Sequence, residues 1–334
     1  MSIPHSKLST RYYLVDPDVT DNHGDSSIEG SLQWALNTFG TDGGVIELVP
    51  GTYETKNNQI ELKTSTTIIG AGIDSIIYRD QATYGYTILN ANSVGNITLR
   101  NFALEGVTSA QSLIVGVINV DASYNLHIER IWNTVDFGYS FILIKNTGGI
   151  HIVNNNKFEG LRGNGVILYN CWDIDIFNNV FDVETTTGFS ANHGVYLSSS
   201  RNIHMNNNHI FSTSTNQKSL LRINECHDLN ISENVIRNYT GGVTTHGNIL
   251  IHDSDNTIIE NNVIQGNGSG HGIFIEDNSD SISIRNNSIR SFSGYGIYWY
   301  QASTSRSCMN IYESIGTGNV YIGGLCTNVD DHSL

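Results

Sequence analysis

The segment RNIHMNNNHI (201–210) holds the pattern that decides the fold. Apolar Ile203 and Met205 alternate with polar residues as in a β-strand, a polar turn follows at 206–208, and Ile210 resumes the apolar pattern. Similar segments recur along the chain, with a weaker copy at NITLRNFAL (96–104). The clear copies are GGIHIVNNNKF (148–158), WDIDIFNNVF (172–181), HDLNISENVI (227–236), NTIIENNVI (256–264) and DSISIRNNSI (280–289).

The second residue of each turn is asparagine, and these asparagines are 23 to 29 residues apart. A repeat of this length predicts a solenoid, in which each unit stacks on the one before it. A tight turn favours Asn because Asn tolerates the left-handed conformation, and stacked carboxamides can hydrogen-bond along the axis. We therefore interpret the repeated residues as scaffold: Asn156, Asn179, Asn208, Asn234, Asn262 and Asn287.

A loop and a further apolar strand follow each unit. Alternation predicts that these later strands point two columns of apolar side chains inward. The first column is Ile118, Ile142, Val166, Val195, Leu221, Ile249, Ile273 and Ile297. The second column, two residues on, is Val120, Ile144, Leu168, Leu197, Ile223, Ile251, Ile275 and Trp299.

Segments near the N-terminus complete the pattern. GGVIELVPGTYE (43–54) and TTIIGAG (66–72) follow SIEGSLQWALNTFG (27–40), whose apolar residues have helical spacing. With the repeat, they make residues 40–325 resemble the pectate-lyase-like β-helix superfamily. The resemblance implies an all-β, right-handed parallel β-helix of about 9 to 11 coils. We expect an N-terminal arm with a short capping helix at 1–42 and the solenoid at 43–334.

Composition narrows the possible partners. The chain has 334 residues and a net charge of −15, and its 17 Lys and Arg residues form no cluster, so we expect no nucleic-acid partner. No run approaches the roughly 20 apolar residues of a membrane span. The start, MSIPHSKLSTRYY, lacks the apolar core of a signal peptide. The resemblance nevertheless implies a secreted protein, and we expect a monomer or a homotrimer.

In the superfamily that the chain resembles, polysaccharide usually lies along the sheet formed by the later strands. Alternation places two columns of side chains on the outside of that sheet. The first outward column is Asn119, Leu143, Ile167, Tyr196, Arg222, Leu250, Phe274 and Tyr298. The second outward column is Asp121, Lys145, Tyr169, Ser198, Asn224, His252, Glu276 and Tyr300.

These columns contain groups suited to a lyase that cleaves a uronate polysaccharide such as alginate or pectate by β-elimination. The reaction needs a cation beside the C5 carboxylate, a base for the C5 proton and an acid for the departing O4. Arg222 would bind the carboxylate with its planar fork. Tyr196 or Tyr169 would be acid, base or both. Lys145 and His193 are alternative bases.

Other outward residues are predicted to bind the substrate, because aromatic rings can stack on sugars and polar groups can reach their hydroxyls. Glu184, from the loop at 182–192, is included because that loop precedes the Tyr196 strand. The predicted set is Asn224, His252, Phe274, Glu276, Tyr298, Tyr300 and Glu184.

Two other classes of function stay open. A glycoside hydrolase or an inulin-type fructotransferase would need two carboxyl groups about 5 to 10 Å apart. Asp121 and Glu276 are six coils, or roughly 29 Å, apart, so the pair would come from Asp182, Glu184 and Glu225. The remaining class is a non-catalytic carbohydrate-binding β-helix, such as a phage tail protein or an adhesin.

No cofactor is expected. The four cysteines form no CxxC motif, so no zinc site is predicted. Calcium is the alternative, because Asp121 and the turn HDSDN (252–256) offer oxygen ligands. Cys308 and Cys326 lie close enough in sequence for a disulfide, and their pairing is left open.

Overall fold

The chain forms a parallel β-solenoid in which each coil contributes strands to two sheets. A computed structural model describes residues 11–79, 87–106, 117–133, 140–153, 155–161, 163–184, 193–213, 219–239, 246–300, 302–323 and 330–332. Strands from successive coils pair in parallel throughout the described residues. The predicted fold class is therefore confirmed.

The front sheet consists of the strands that follow the long loops. It has eleven described strands, one from each coil. They are Ile60–Glu61, Leu89–Asn92, Ile118–Asp121, Ser140–Lys145, Asn164–Tyr169, Val195–Ser198, Leu221–Asn224, Gly247–His252, His271–Glu276, Tyr295–Trp299 and Gly318–Ile322.

The back sheet has two legs, joined at the asparagine turns, and 22 described strands in all. The first leg comprises Arg11–Val15, Gly44–Leu48, Thr66–Gly70, Gly95–Gly106, Tyr124–Asn133, Gly148–Val153, Trp172–Phe177, Arg201–Asn206, His227–Ser232, Asp255–Glu260, Ser283–Arg285, Arg306–Cys308 and Asp330–His332. The strands at 95–106 and 124–133 continue into the second leg. The other second-leg strands are Gly51–Glu54, Ser75–Arg79, Lys157–Leu161, Val180–Val183, His209–Ser212, Val235–Asn238, Val263–Gln265, Ser288–Phe292 and Ile311–Ile315.

The interior of the solenoid is a continuous column of aliphatic side chains. Every residue of the two predicted inward columns, from Ile118 to Trp299, is 0% exposed. Burying these side chains on every coil is the main force that holds the stack together, since apolar burial contributes about 25 cal/mol per Å². The alternation in the sequence therefore predicted correctly which face of each front strand lies inside.

The six predicted asparagines form a buried ladder at the turn between the two legs. The carboxamide nitrogen of Asn208, for example, donates to Asn234 Oδ1 at 3.0 Å, and Asn234 donates to Asn262 Oδ1 at 3.0 Å. The ladder continues to Asn310, which the repeat analysis missed. One detail of the prediction is wrong: the left-handed residue is the one before each ladder asparagine, such as Asn207 (φ 53°).

The N-terminal region adds a helix and one more strand. Helix α1 spans Leu32–Phe39, and the Ser31 side chain caps it by accepting from the Trp34 amide at 3.1 Å. Its apolar face buries Leu36 and Phe39 against the first coils. This helix is the one that the sequence predicted as a cap. The arm strand Arg11–Val15 pairs with Gly44–Leu48 and extends the back sheet. A short 3₁₀ helix lies at Pro17–Val19.

Two further sequence predictions concern membranes and cysteines. Among the helices of the described residues, none is long and apolar enough to span a bilayer. Cys171 and Cys226 are buried, and burial raises the pKa of each thiol to about 11. Cys326 lies outside the described residues, so the pairing of Cys308 with Cys326, which the sequence left open, stays untested.

Candidate functional site

The two outward columns of the front sheet have the register that alternation predicted. Tyr196 pairs with Ile167 on one side and with Arg222 on the other. In the second column, Lys145 pairs with Tyr169. Lys145, Tyr169, Tyr196 and Arg222 therefore lie on four successive coils, a span of roughly 15 Å at one strand spacing per coil.

Tyr196 and Arg222 form a contacting pair in the first outward column. The guanidinium carbon of Arg222 lies 5.3 Å from the centre of the Tyr196 ring, within the range of a cation–π contact. Arg222 Nε is shielded from solvent and has no hydrogen-bond acceptor among the described residues. A buried donor without an acceptor is costly, so this guanidinium has capacity for an anion.

The neighbouring positions of the same column enclose this pair. Ile167 and Leu250 face outward, yet they are only 9% and 3% exposed. Tyr196 and Arg222 therefore lie between two covered apolar positions, where charge interactions are stronger than in open water.

His193 lies directly beneath the site rather than in it. Its ring is 1% exposed and its centre is 5.6 Å from that of Tyr196. Its Nδ1 is 2.6 Å from the Ser219 carbonyl oxygen, and its backbone amide donates to Asn164 Oδ1 at 3.0 Å. His193, a candidate base, therefore packs against the Tyr196 ring and is shielded from solvent.

Lys145 is held by an acidic neighbour in its own column. Its Nζ lies 3.3 Å from Asp121 Oδ2, one coil away. Burial tends to raise the pKa of Asp121, but hydrogen bonds from Asn146 and Lys145 outweigh it, so the pKa is lowered. An ammonium group held beside a carboxylate can bind an anion, but it cannot accept a proton. This pairing favours a binding role for Lys145 over a role as base.

Tyr169 is the most open aromatic residue of the predicted site. Its side chain is 51% exposed, and no ring contact links it to another described residue. A sugar could therefore stack on its face. Asn224 and Ser198, its neighbours further along the second column, are half-buried and buried respectively.

The predicted aromatic residues nearer the C-terminus stack on one another. The Phe274 and Tyr298 rings are 4.9 Å apart with a 14° angle between their planes, and Tyr298 and Tyr321 are 4.5 Å apart at 22°. Burial raises the pKa of Tyr298, and the neighbouring Tyr321 raises it further. Since these faces cover each other, a polysaccharide would meet mainly ring edges and hydroxyl groups. Tyr300, just beyond its strand, is 40% exposed.

His252 and Glu276 lie on adjacent coils in the second column, beside an acidic turn. His252 Nε2 is 2.9 Å from Asp277 Oδ2, and ligand atoms of His252, Glu276 and Asp277 all lie within 4.8 Å of one another. One imidazole and two carboxylates form a set that can hold a divalent cation. The sequence had suggested oxygens at Asp121 and in 252–256, but Asp121 is engaged by Lys145 and Asn146.

The acids of the alternative hydrolase lie apart from the first outward column. Asp182 belongs to the second-leg strand Val180–Val183, where it pairs with Phe211, and not to the loop in which the sequence analysis placed it. Burial, with Glu184 and Glu159 nearby, raises the pKa of Asp182 to about 6. Glu184 is exposed at the end of this strand. Glu225 lies in the turn after the Arg222 strand and accepts from Ser199 Oγ at 3.0 Å.

Sequence reasoning missed an ion pair that its own columns contained. Asp121 and Lys145 are neighbours in the second column, so their ion pair follows from the register. It also missed Asp277, because a turn aspartate carries no signal until its coil is stacked next to His252. His246 and His271, which contact Phe274, were not predicted either.

Comparison with known protein families gives one match. The family described as "Right handed beta helix region" matches residues 140–312, which is just over half of the chain and includes the front strands of the candidate site. No curated protein matches this chain.

Solved structures share the fold at low sequence identity. The A-module of the Azotobacter vinelandii mannuronan C-5 epimerase AlgE4 superposes with a TM-score of 0.53 and 17% identity, over 96% of this chain and all of that one. The Streptococcus pneumoniae adhesin PfbA gives 0.62 and 13%, over 96% and 100%. The GH87 α-1,3-glucanase of Streptomyces thermodiastaticus gives 0.63 and 12%, over 96% and 68%.

Proposed function

This chain belongs to the right-handed β-helix family, and we propose that it is a lyase that cleaves a uronate-containing polysaccharide on its front sheet. The observation that carries the proposal is the contact between Arg222 and Tyr196. In this contact a guanidinium whose shielded Nε has no acceptor among the described residues lies beside a phenol, a group that can transfer protons.

The proposed reaction is a β-elimination. The Arg222 guanidinium binds the carboxylate attached to C5 and stabilises the charge that develops on it as the C5–H bond weakens. Tyr196, as tyrosinate, takes the C5 proton. The electron pair forms the C4=C5 double bond, the C4–O4 bond breaks, and the departing O4 takes a proton from a phenol, that of Tyr196 or of Tyr169.

The other outward residues would position the chain of sugars. Lys145 would bind the carboxylate of a more distant uronate, roughly 15 Å from Arg222. Tyr169 would stack on a sugar ring between them. Because Asp121 offsets the charge of Lys145, the Arg222 guanidinium is the main local positive charge for a polyanion on a chain of net charge −15.

A second candidate is a C5 epimerase, which starts with the same removal of the C5 proton but then returns a proton to C5. It is favoured by the two phenols, Tyr169 and Tyr196, which lie on adjacent coils in different columns. One could remove the proton and the other could return it. The epimerase activity printed for the AlgE4 structure belongs to that protein, and at 17% identity the likeness supports only the fold.

A single set of incubations tests these proposals. The protein is mixed with alginate, pectate and inulin, and the absorbance of unsaturated uronate near 235 nm is followed together with reducing ends. A lyase raises both signals on a uronate polymer. Reducing ends without absorbance would indicate a hydrolase, and a non-reducing product from inulin would indicate a fructotransferase.

Two further readouts complete the assay. A change in the proton NMR spectrum of alginate without chain cleavage would indicate an epimerase. Binding without any chemical change would favour a non-catalytic role and would overturn the enzyme proposal.

A further inference from the structure

A polar pocket opens at the N-terminal end of the front sheet, far from the candidate site. It has a volume of about 660 Å³ and lies between the helix, two loops and the first front strand. The residues that matter for its chemistry are Asp25, Gln33, Asn37, Asn58, Glu61, Lys63 and Arg79. The Asp25 carboxylate accepts from the Ser27 hydroxyl at 2.7 Å.

The wall of this pocket is held rigid by hydrogen bonds. Gln33 Oε1 accepts from the Glu61 amide at 2.7 Å, and Gln33 Nε2 donates to the Glu61 carbonyl at 3.2 Å, so the helix is fastened to the front strand. Arg79 is only 7% exposed and donates to the carbonyl of Asn57 at 2.7 Å and to that of Thr87. The pocket therefore exists before any ligand binds, which lowers the entropic cost of binding.

Lys63 is the group in this pocket with free bonding capacity. No ion pair or side-chain hydrogen bond joins it to another residue in the described part of the chain. The carboxylate of Glu61 is already engaged by amide donors from Asn90, at 2.8 Å, and Gln59. An ammonium group without a partner among the described residues, in the same pocket as the carboxamides of Asn37 and Asn58, suits a ligand with one carboxylate and several hydroxyl groups.

Carboxamides extend from the edge of the pocket along the first two positions of the outward column, and the covered apolar Leu143 and Ile167, 5% and 9% exposed, then separate them from Tyr196. Asn90 Nδ2 donates to Glu61 and Asn119 Nδ2 donates to Asn90 Oδ1 at 2.9 Å, so the start of the first outward column is a ladder of carboxamides. The Glu61 strand is the first of the front sheet and the Tyr196 strand is the sixth. At one strand spacing per coil they are about 24 Å apart.

We propose that this pocket is a remote subsite that binds an acidic sugar unit of the polysaccharide whose cleavage takes place at Tyr196. Lys63 binds the carboxylate of that unit, and Asn37 and Asn58 bind its hydroxyl groups. This inference rests on the proposed function for the identity of the ligand. A trisaccharide reaches only one of the two places, whereas a chain that spans about 24 Å can occupy both.

Hydrogen–deuterium exchange of the full chain, with a trisaccharide of uronate and with an oligouronate long enough to span about 24 Å, tests the subsite. We expect the longer ligand to protect residues 57–63 as well as the strands of Tyr196 and Arg222. Lys63→Ala should abolish protection at 57–63 and raise KM for the longer ligand about tenfold, because a charge-assisted hydrogen bond is lost. Cleavage of the trisaccharide should be unchanged. Lys157→Ala, which removes an exposed lysine on the second leg, is the matched control.

The outcomes separate the two proposals. Protection at the Tyr196 strand without protection at 57–63 overturns the subsite and leaves the lyase intact. Protection at 57–63 that depends on Lys63, with no chemical change to any uronate, supports the subsite and overturns the lyase. Protection at neither place overturns both.

Discussion

The guanidinium of Arg222 lies over the ring of Tyr196, with 5.3 Å between the guanidinium carbon and the ring centre. The two residues occupy the same outward column on adjacent coils. The stacking of the coils therefore sets their separation, independently of any loop. A site built in this way is rigid, because each residue is fixed by a strand that is paired on both sides.

Conservative substitutions of this pair should separate binding from chemistry. Tyr196→Phe keeps the ring under the guanidinium but removes the hydroxyl group, so we expect kcat to fall by about 10² to 10⁴ with little change in KM. Arg222→Lys keeps the charge but loses the fork, and we expect kcat/KM to fall about 10- to 100-fold. Steady-state rates of uronate cleavage measure both effects.

The matched controls for this pair lie on the second leg, where Arg237 donates to the Tyr239 hydroxyl. Tyr239→Phe and Arg237→Lys should leave the rate unchanged. If Tyr196→Phe and Arg222→Lys also kept full activity on the substrate, the assignment of the site would be wrong.

The exposed ring of Tyr169 and the stacked ring of Tyr298 should respond differently to removal. Tyr169→Ala takes away an open face, so we expect KM to rise about fivefold with an unchanged unfolding midpoint. Tyr298→Ala removes the middle ring of a stack. It should therefore lower the free energy of unfolding by about 1–3 kcal/mol and change KM little.

Kinetics together with urea denaturation of both variants make this comparison. A large increase in KM for Tyr298→Ala, with normal stability, would instead identify the stacked rings as a sugar platform.

The register of the front sheet could be predicted because it depends on local rules. Side chains alternate with a period of two, and one asparagine per coil sets where each strand begins, so Tyr196 and Arg222 could be placed side by side from sequence. The burial of Ile167 and Leu250 could not be predicted in this way. Alternation reveals which way a side chain faces, but not what lies over it.

Other features depended on contacts between coils that the repeat does not encode. Phe274 and Tyr298 were expected to offer their faces to sugars, but equal spacing along the column lets each ring cover the next. The left-handed conformation was assigned to the ladder asparagine, one position too late. Asn207 adopts that conformation, whereas Asn208 makes the ladder hydrogen bond. Both features depend on how successive coils stack, which the sequence of one coil does not show.

The asparagine ladder should contribute strongly to stability. Asn234 is 1% exposed, donates to the Met205 carbonyl at 3.0 Å and accepts from the Asn208 amide at 3.0 Å. Asn234→Ala leaves these buried groups without partners, at a cost of about 1–3 kcal/mol for each. We expect a clear decrease in the urea midpoint.

The control for the ladder is Asn206→Ala, which removes an outward carboxamide from the preceding coil. It should change the free energy of unfolding by no more than about 0.5 kcal/mol. Equal effects of the two substitutions would show that the ladder adds nothing beyond an ordinary surface asparagine.

Asp182 should make stability depend on pH in a predictable direction. Burial first, and then Glu184 and Glu159, raises its pKa to about 6 in the folded chain, above the value of about 3.9 for an unfolded chain. The folded state therefore favours the protonated form. The stability that Asp182 contributes is fully present below about pH 4 and is lost as the pH rises through about 6.

Asp182→Asn is neutral at every pH and should remove this dependence. We expect the melting temperature of the variant to equal that of the wild type near pH 4 and to exceed it above about pH 6. Glu313→Gln, at an exposed carboxyl group on the same leg, should give an offset that does not change with pH. A constant offset for Asp182→Asn across this range would show that the Asp182 carboxyl group ionises as readily in the folded chain as in the unfolded one.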